Sequence, residues 1–175
     1  MRSGLRVLVP ALMISATLLL SGCKSAEEKA EDYYQSGLTL LAAGDEDRAL
    51  VEFRNVFKYN GFHKEARQTY ADLQLKRGEV TEAYSQYLRL IEQYPDTADV
   101  RRTLAEIAIT RNDWAEAERH GKAAMALTPD DPAVKGIAAA LDYRTAMLGK
   151  DTTAAAAAVV LAQEVGQVVA EAGPQ

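Results

Sequence analysis

Residues 71–95 read ADLQLKRGEVTEAYSQYLRLIEQYP, and the same plan stands thirty-four residues earlier and thirty-four later. Residues 37–61 read GLTLLAAGDEDRALVEFRNVFKYNG, and residues 105–129 read AEIAITRNDWAEAERHGKAAMALTP. Small residues coincide at Gly37, Ala71 and Ala105, and again at Ala49, Ala83 and Ala117. Turn residues coincide at Gly44, Gly78 and Asn112, and breakers at Gly61, Pro95 and Pro129. Leu41, Leu75 and Ile109 share an apolar place, and Phe53 and Tyr87 an aromatic one. No insertion interrupts the three copies, and a fixed period of this length marks a stacked supersecondary unit.

The local chemistry of each copy asks for two helices. Gly44, Gly78 and Asn112 suit the left-handed backbone at a helix C-terminus. The acids that follow, Asp45, Glu79 and Asp113, favour the next helix N-terminus. Pro95 and Pro129 stop the second helix, because proline clashes in a helix interior and lacks the donor. Helices are therefore expected over residues 26–43, 46–59, 63–77, 80–93, 97–111 and 114–127, with small residues where the pairs approach most closely. This pattern resembles the tetratricopeptide repeat. The resemblance implies an all-α solenoid of antiparallel helix pairs, with repeats at about 30–63, 64–97 and 98–131, together spanning 30–130. The chain departs from that family at Gly61, where proline is usual, and at Gly121, which replaces the large residue seen as Phe53 and Tyr87. Val56 and Leu90 exceed the alanine kept at Ala124.

Residues 131–175 read as a divergent fourth pair. The spacing slips by about three residues, with Gly149 in the turn role and Asp151 or Thr152 as N-cap. The run Ala154–Ala158 begins a second helix that ends before Gly173-Pro174. Val159, Val160, Leu161, Val165, Val168 and Val169 make this end apolar, whereas an isolated array normally ends in a polar cap. A partner, or the start of a longer array, is expected there.

The N-terminus reads as an export signal over residues 1–22. Arg2 and Arg6 precede an apolar run from Val7 to Leu20, too short and wrongly flanked for a membrane span. Leu20-Ser21-Gly22-Cys23 resembles the lipobox of bacterial lipoproteins. That resemblance implies a diacylglyceryl thioether on Cys23, cleavage before it, and a lipidated tether over residues 23–29. Multiple acyl chains hold a protein on a membrane effectively permanently. By the same resemblance Lys24, in place of the aspartate that retains lipoproteins at the inner membrane, favours the outer membrane, facing the periplasm.

Composition narrows the function. Apolar residues make up 48% and charged residues 26%, enough to bury a core, and the net charge of −5 argues against nucleic acid as a partner. Removal of the signal leaves 25 acids against 18 Lys and Arg. One Cys excludes an intramolecular disulfide or a cysteine-rich zinc site. His63 and His120 read as two surface imidazoles without a second ligand at metal spacing. No phosphate loop, nucleophile elbow or metalloprotease helix is present in the sequence. The expectation is a non-enzymatic chain with no metal, no small-molecule substrate and no cofactor beyond the lipid on Cys23.

In tetratricopeptide arrays the first helix of each pair lines the peptide-binding face. Carried onto this sequence, that face holds Glu31, Tyr34, Leu38 and Leu41, then Glu65, Gln68, Asp72, Leu75 and Lys76, then Asp99, Arg102, Glu106, Ile109 and Thr110. Chaperone-binding members clamp a carboxylate terminus with Lys and Asn. This face is instead acidic, so a basic or mixed segment is expected. Lipobox and repeats together resemble the tetratricopeptide lipoproteins of exopolysaccharide export and carboxy-terminal protein-sorting (PEP-CTERM-type) systems, which implies an envelope scaffold binding other proteins. Pilotins of type IV pili, the lipoprotein of the outer-membrane barrel-assembly machine and adaptors for cell-wall hydrolases are the alternatives.

Overall fold

The computed structural model describes residues 24–172, with side chains through Gln167. Eight helices follow one another: α1 (Ala26–Ala42), α2 (Glu46–Tyr59), α3 (Lys64–Lys76), α4 (Val80–Gln93), α5 (Ala98–Thr110), α6 (Trp114–Leu127), α7 (Pro132–Leu148) and α8 (Thr152–Ala172). For the first six, no end differs by more than one residue from the span expected of the sequence. No described helix is long and apolar enough to cross a membrane.

Helix ends follow from local hydrogen bonding. Ser25 and Glu28 form a capping box that starts α1. Asp45 and Asp113 cap α2 and α6 by accepting from Arg48 N–H and Glu116 N–H, whereas Glu79 makes no such bond at α4. Each first helix closes with the same paired bonds. Gly44 N–H donates to the Leu41 carbonyl and Asp45 N–H to that of Leu40, and Gly78 with Glu79 and Asn112 with Asp113 repeat them. This motif needs positive φ, and Gly44, Gly78 and Asn112 have φ of 79°, 80° and 58°.

The fourth pair corrects the expected turn. Lys150, with φ 57°, takes the left-handed place, while Gly149 sits at φ −77° as an ordinary helical cap. Lys150 N–H donates to Met147 O and Asp151 N–H to Ala146 O, completing the motif. The left-handed residue therefore comes thirty-eight residues after Asn112, and the slip is four rather than about three. Asp131 caps α7 thirty-four residues after the Thr97 cap of α5, so the start of the helix keeps its register. The extra four residues lengthen α7 by about one helical turn, which leaves its buried face in phase. Asp151 caps α8, its Oδ1 accepting from Thr153 and Ala154 N–H.

Helices pack mainly within the pairs α1–α2, α3–α4, α5–α6 and α7–α8, and each pair then stacks on the next. Phe53 and Tyr87 drive into the first two pairs and are essentially buried. The Gly37 site, facing Phe53, has no room for a larger side chain: a Cβ there would lie 2.5 Å from the Phe53 ring. At Gly121 the third pair lacks its large side chain, and the next pair supplies the volume. A Cβ at Gly121 would meet Ile137 Cγ2 at 2.9 Å and Leu141 Cδ1 at 3.0 Å. Val56 and Leu90 are fully buried.

Candidate partner-binding face

The first helices α1, α3 and α5 stand side by side, joined by polar contacts across their faces. Gln68 on α3 donates to Asp99 on α5, and Glu31 on α1 lies 3.4 Å from Nε2 of His63 ahead of α3. Gln35 also donates to Glu31, and this bond above all holds the Glu31 carboxyl below the usual range. Glu65 Oε2 approaches His63 Nδ1 at 3.5 Å. Leu38, Leu41, Leu75 and Ile109 are half-buried between the charges.

Two of the expected face residues serve packing as much as exposure. Tyr34 is half-buried, its ring 6.1 Å from Phe53 and 4.7 Å from the His63 imidazole. Asp72 reaches the surface, yet its Oδ1 accepts the hydroxyl of buried Tyr87 at 2.6 Å. Desolvation raises the Asp72 carboxyl above the usual range and Asp99 adds to it, while the Tyr87 bond opposes both.

Both cations of the face are already engaged. Lys76 Nζ donates to Glu46 at 2.7 Å, and Arg102 to Glu106, one turn along α5, at 2.9 Å. Arg77 reaches Asp47 in the same way as Lys76 reaches Glu46, and Arg111 reaches the Thr81 hydroxyl one repeat later. In the fourth pair Arg144 lies over the ring of Trp114, 4.7 Å from its centroid. Apart from Arg102–Glu106, these links span thirty residues and tie the later part of one first helix to the start of the preceding second helix. The sequence reading missed this rung. Its signal was available as opposite charges thirty apart at Glu46/Lys76 and Asp47/Arg77.

The two histidines are not surface imidazoles. His120 is fully buried, and His63 caps α3 by accepting from Ala66 N–H at 3.2 Å. His120 stands where Gln86 stands one repeat earlier, a buried polar place between the helices of a pair. Burial, and then the Arg119 cation, push its pKa down to about 4, against the opposing pull of Glu116. Cys23, the expected lipidation site, lies outside the described residues, as does the expected signal segment.

Antiparallel helix pairs stacked with a thirty-four-residue period, each closed by the same left-handed turn, define a tetratricopeptide-repeat α-solenoid. Over residues 40–107 the sequence itself matches the family described as Tetratricopeptide repeat. Among solved structures the chain is similar to MamA 41-end from Desulfovibrio magneticus RS-1, at 20% identity over 79% of this chain and 76% of that one, with a TM-score of 0.62. A MamA RS-1 ArsTM double mutant matches at 20% identity over the same shares, with a TM-score of 0.63. A further MamA crystal structure matches at 14% identity over 81% of each chain, with a TM-score of 0.62. At these identities the likeness is one of fold. No curated protein matches the chain in sequence.

Proposed function

We propose that this protein is a lipid-anchored scaffold of the bacterial envelope that holds a basic or mixed segment of another protein along α1, α3 and α5. The observation that carries the reading is the charge left over on that face. Lys76 and Arg102 are matched within the chain by Glu46 and Glu106, while Gln68 and Tyr87 bond Asp99 and Asp72 without neutralising them. Glu31, Glu65, Asp72 and Asp99 therefore present negative charge above half-buried leucines. Gathered carboxylates speed encounter with positive segments and repel anionic ones. Screening over about 8 Å at physiological salt confines this to near contact, so the apolar floor supplies most of the affinity.

The place of action follows from the lipobox resemblance at Cys23. It puts the scaffold on the periplasmic side of the envelope, at the outer membrane, in systems of the exopolysaccharide-export and protein-sorting type. The test is a pull-down with wild type and with Asp72→Lys/Glu106→Lys at low and moderate salt. Partners captured by wild type and lost by the variant are expected. Equal capture of the same partners by both overturns the assignment of this face.

A further inference from the structure

The fourth helix pair overhangs the others. α7 has 17 residues against 13 in both α3 and α5, and the added turn extends it by about 6 Å. The hairpin is also where exposed apolar side chains gather. Met147 and Leu148 are 52% and 69% exposed, and Tyr143, Val159, Val160 and Leu161 are exposed beside them. Apolar surface of this kind on a soluble domain marks an interaction site.

Charge says what covers it. Residues 132–172 are nearly balanced, with Lys135, Arg144 and Lys150 against Asp142, Asp151, Glu164 and Glu171. Residues 24–131 carry 21 acids against 15 Lys and Arg. Two copies of this chain repel over most of their surface and meet with least of that cost at α7–α8. Along the outer side of α8, Thr153, Ala157, Val160 and Glu164 recur at steps of three and four residues and all are exposed, whereas Ala155 and Ala158 are buried, and exposed Lys150 stands in the turn just ahead of the helix. Among the described residues neither Lys150 nor Glu164 forms an ion pair. The two stand symmetrically about Ala157, seven residues to either side.

We propose that this face of α8 joins two copies of the chain, antiparallel and centred on Ala157, with Lys150 of each copy opposite Glu164 of the other. The arrangement is self-complementary, as a two-fold interface requires. Small Ala157 at the centre lets the helices approach, and Val160 of each copy covers the alanine run of the other. An anionic lipid surface is a poorer match, because the exposed stripe offers one cation, Lys150, and one carboxylate.

The test uses the full chain, expressed as two differently tagged copies in one cell, with a photo-crosslinking amino acid at Val160. A product carrying both tags is expected. Lys150→Glu in both copies should lower its yield at least tenfold, and Lys150→Glu/Glu164→Lys should restore it. Sedimentation of the purified full chain should show a concentration-dependent dimer that Val160→Lys weakens, with helicity unchanged by circular dichroism. Crosslinks only to another protein or to lipid overturn the proposal. A doubly tagged product indifferent to charge reversal overturns the register.

Discussion

Nη1 of Arg101 lies 3.5 Å from Nδ1 of His120, at the place where Nη1 of Arg67 donates to Gln86 Oε1 at 2.6 Å one repeat earlier. Both arginines also hold a carbonyl of the preceding loop, Arg67 that of Gly61 and Arg101 that of Pro95. The two repeats thus share a buried polar rung, with an amide in one and an imidazole in the other. Each ring nitrogen faces an arginine donor, Nδ1 Arg101 at 3.5 Å and Nε2 Arg119 at 3.1 Å, with Glu116 3.3 Å from Nε2, so a neutral ring with one lone pair free to accept fits the site better than a cation.

That rung predicts a dependence on acid. Arg101 and Arg119 both face His120, and only Glu116 favours its cation. Its folded pKa of about 4 lies below the unfolded value of about 6.5, so the neutral ring contributes stability that is complete above pH 6.5 and lost as pH falls toward 4. The full loss amounts to about 3 kcal/mol. His120→Gln, which restores the Arg–amide pair, should flatten the fall in stability between pH 6.5 and 4. Urea denaturation across that window is the measurement, and parallel wild-type and variant curves would contradict the rung.

Close approach in the first two pairs gives a second expectation. Gly37→Ala places a methyl against the buried Phe53 ring, and Ala83→Leu inserts three carbons at a fully buried position. Each should cost about 1–3 kcal/mol, as overpacking does. Denaturation midpoints should fall with the slope unchanged. Unaltered midpoints would move these residues away from the helix contact.

Asp72 separates stability from binding. A carboxyl whose folded pKa is raised favours the fold most at low pH and loses that contribution as pH rises through the folded value. Asp72→Asn should therefore leave the melting temperature at neutral pH equal or higher, since the amide oxygen still accepts from Tyr87. Partner capture should weaken in the same variant. A lower melting temperature would make Asp72 a structural residue.

Cys23→Ala should abolish lipidation and leave unprocessed precursor at the inner membrane. Labelling cells with a clickable fatty acid reads this directly. Label persisting on the variant would sink the lipoprotein assignment.

How far the sequence could be read depends on the range of the interaction. Gly44, Gly78 and Asn112 were legible as left-handed turns because the requirement lies within a few residues of backbone. Lys150 was not, since Gly149 is the better left-handed former and only the added turn of α7 moves the position onward. Glu31, Glu65, Asp72, Asp99 and Glu106 were placed on one face by period alone. That Lys76 does not offset them was not legible, because it finds Glu46 thirty residues away on the preceding helix.

The sequence by itself determined the period, the helix ends of the first three pairs and the pairing of their helices, because caps, breakers and small residues act through neighbouring backbone and repeat every thirty-four positions. Tertiary structure alone decided that His120 is a buried neutral base, that Ile137 and Leu141 fill the space above Gly121, and that α7–α8 overhangs as an apolar hairpin. Those outcomes depend on desolvation and on volumes contributed by helices remote in the chain, which no local pattern encodes.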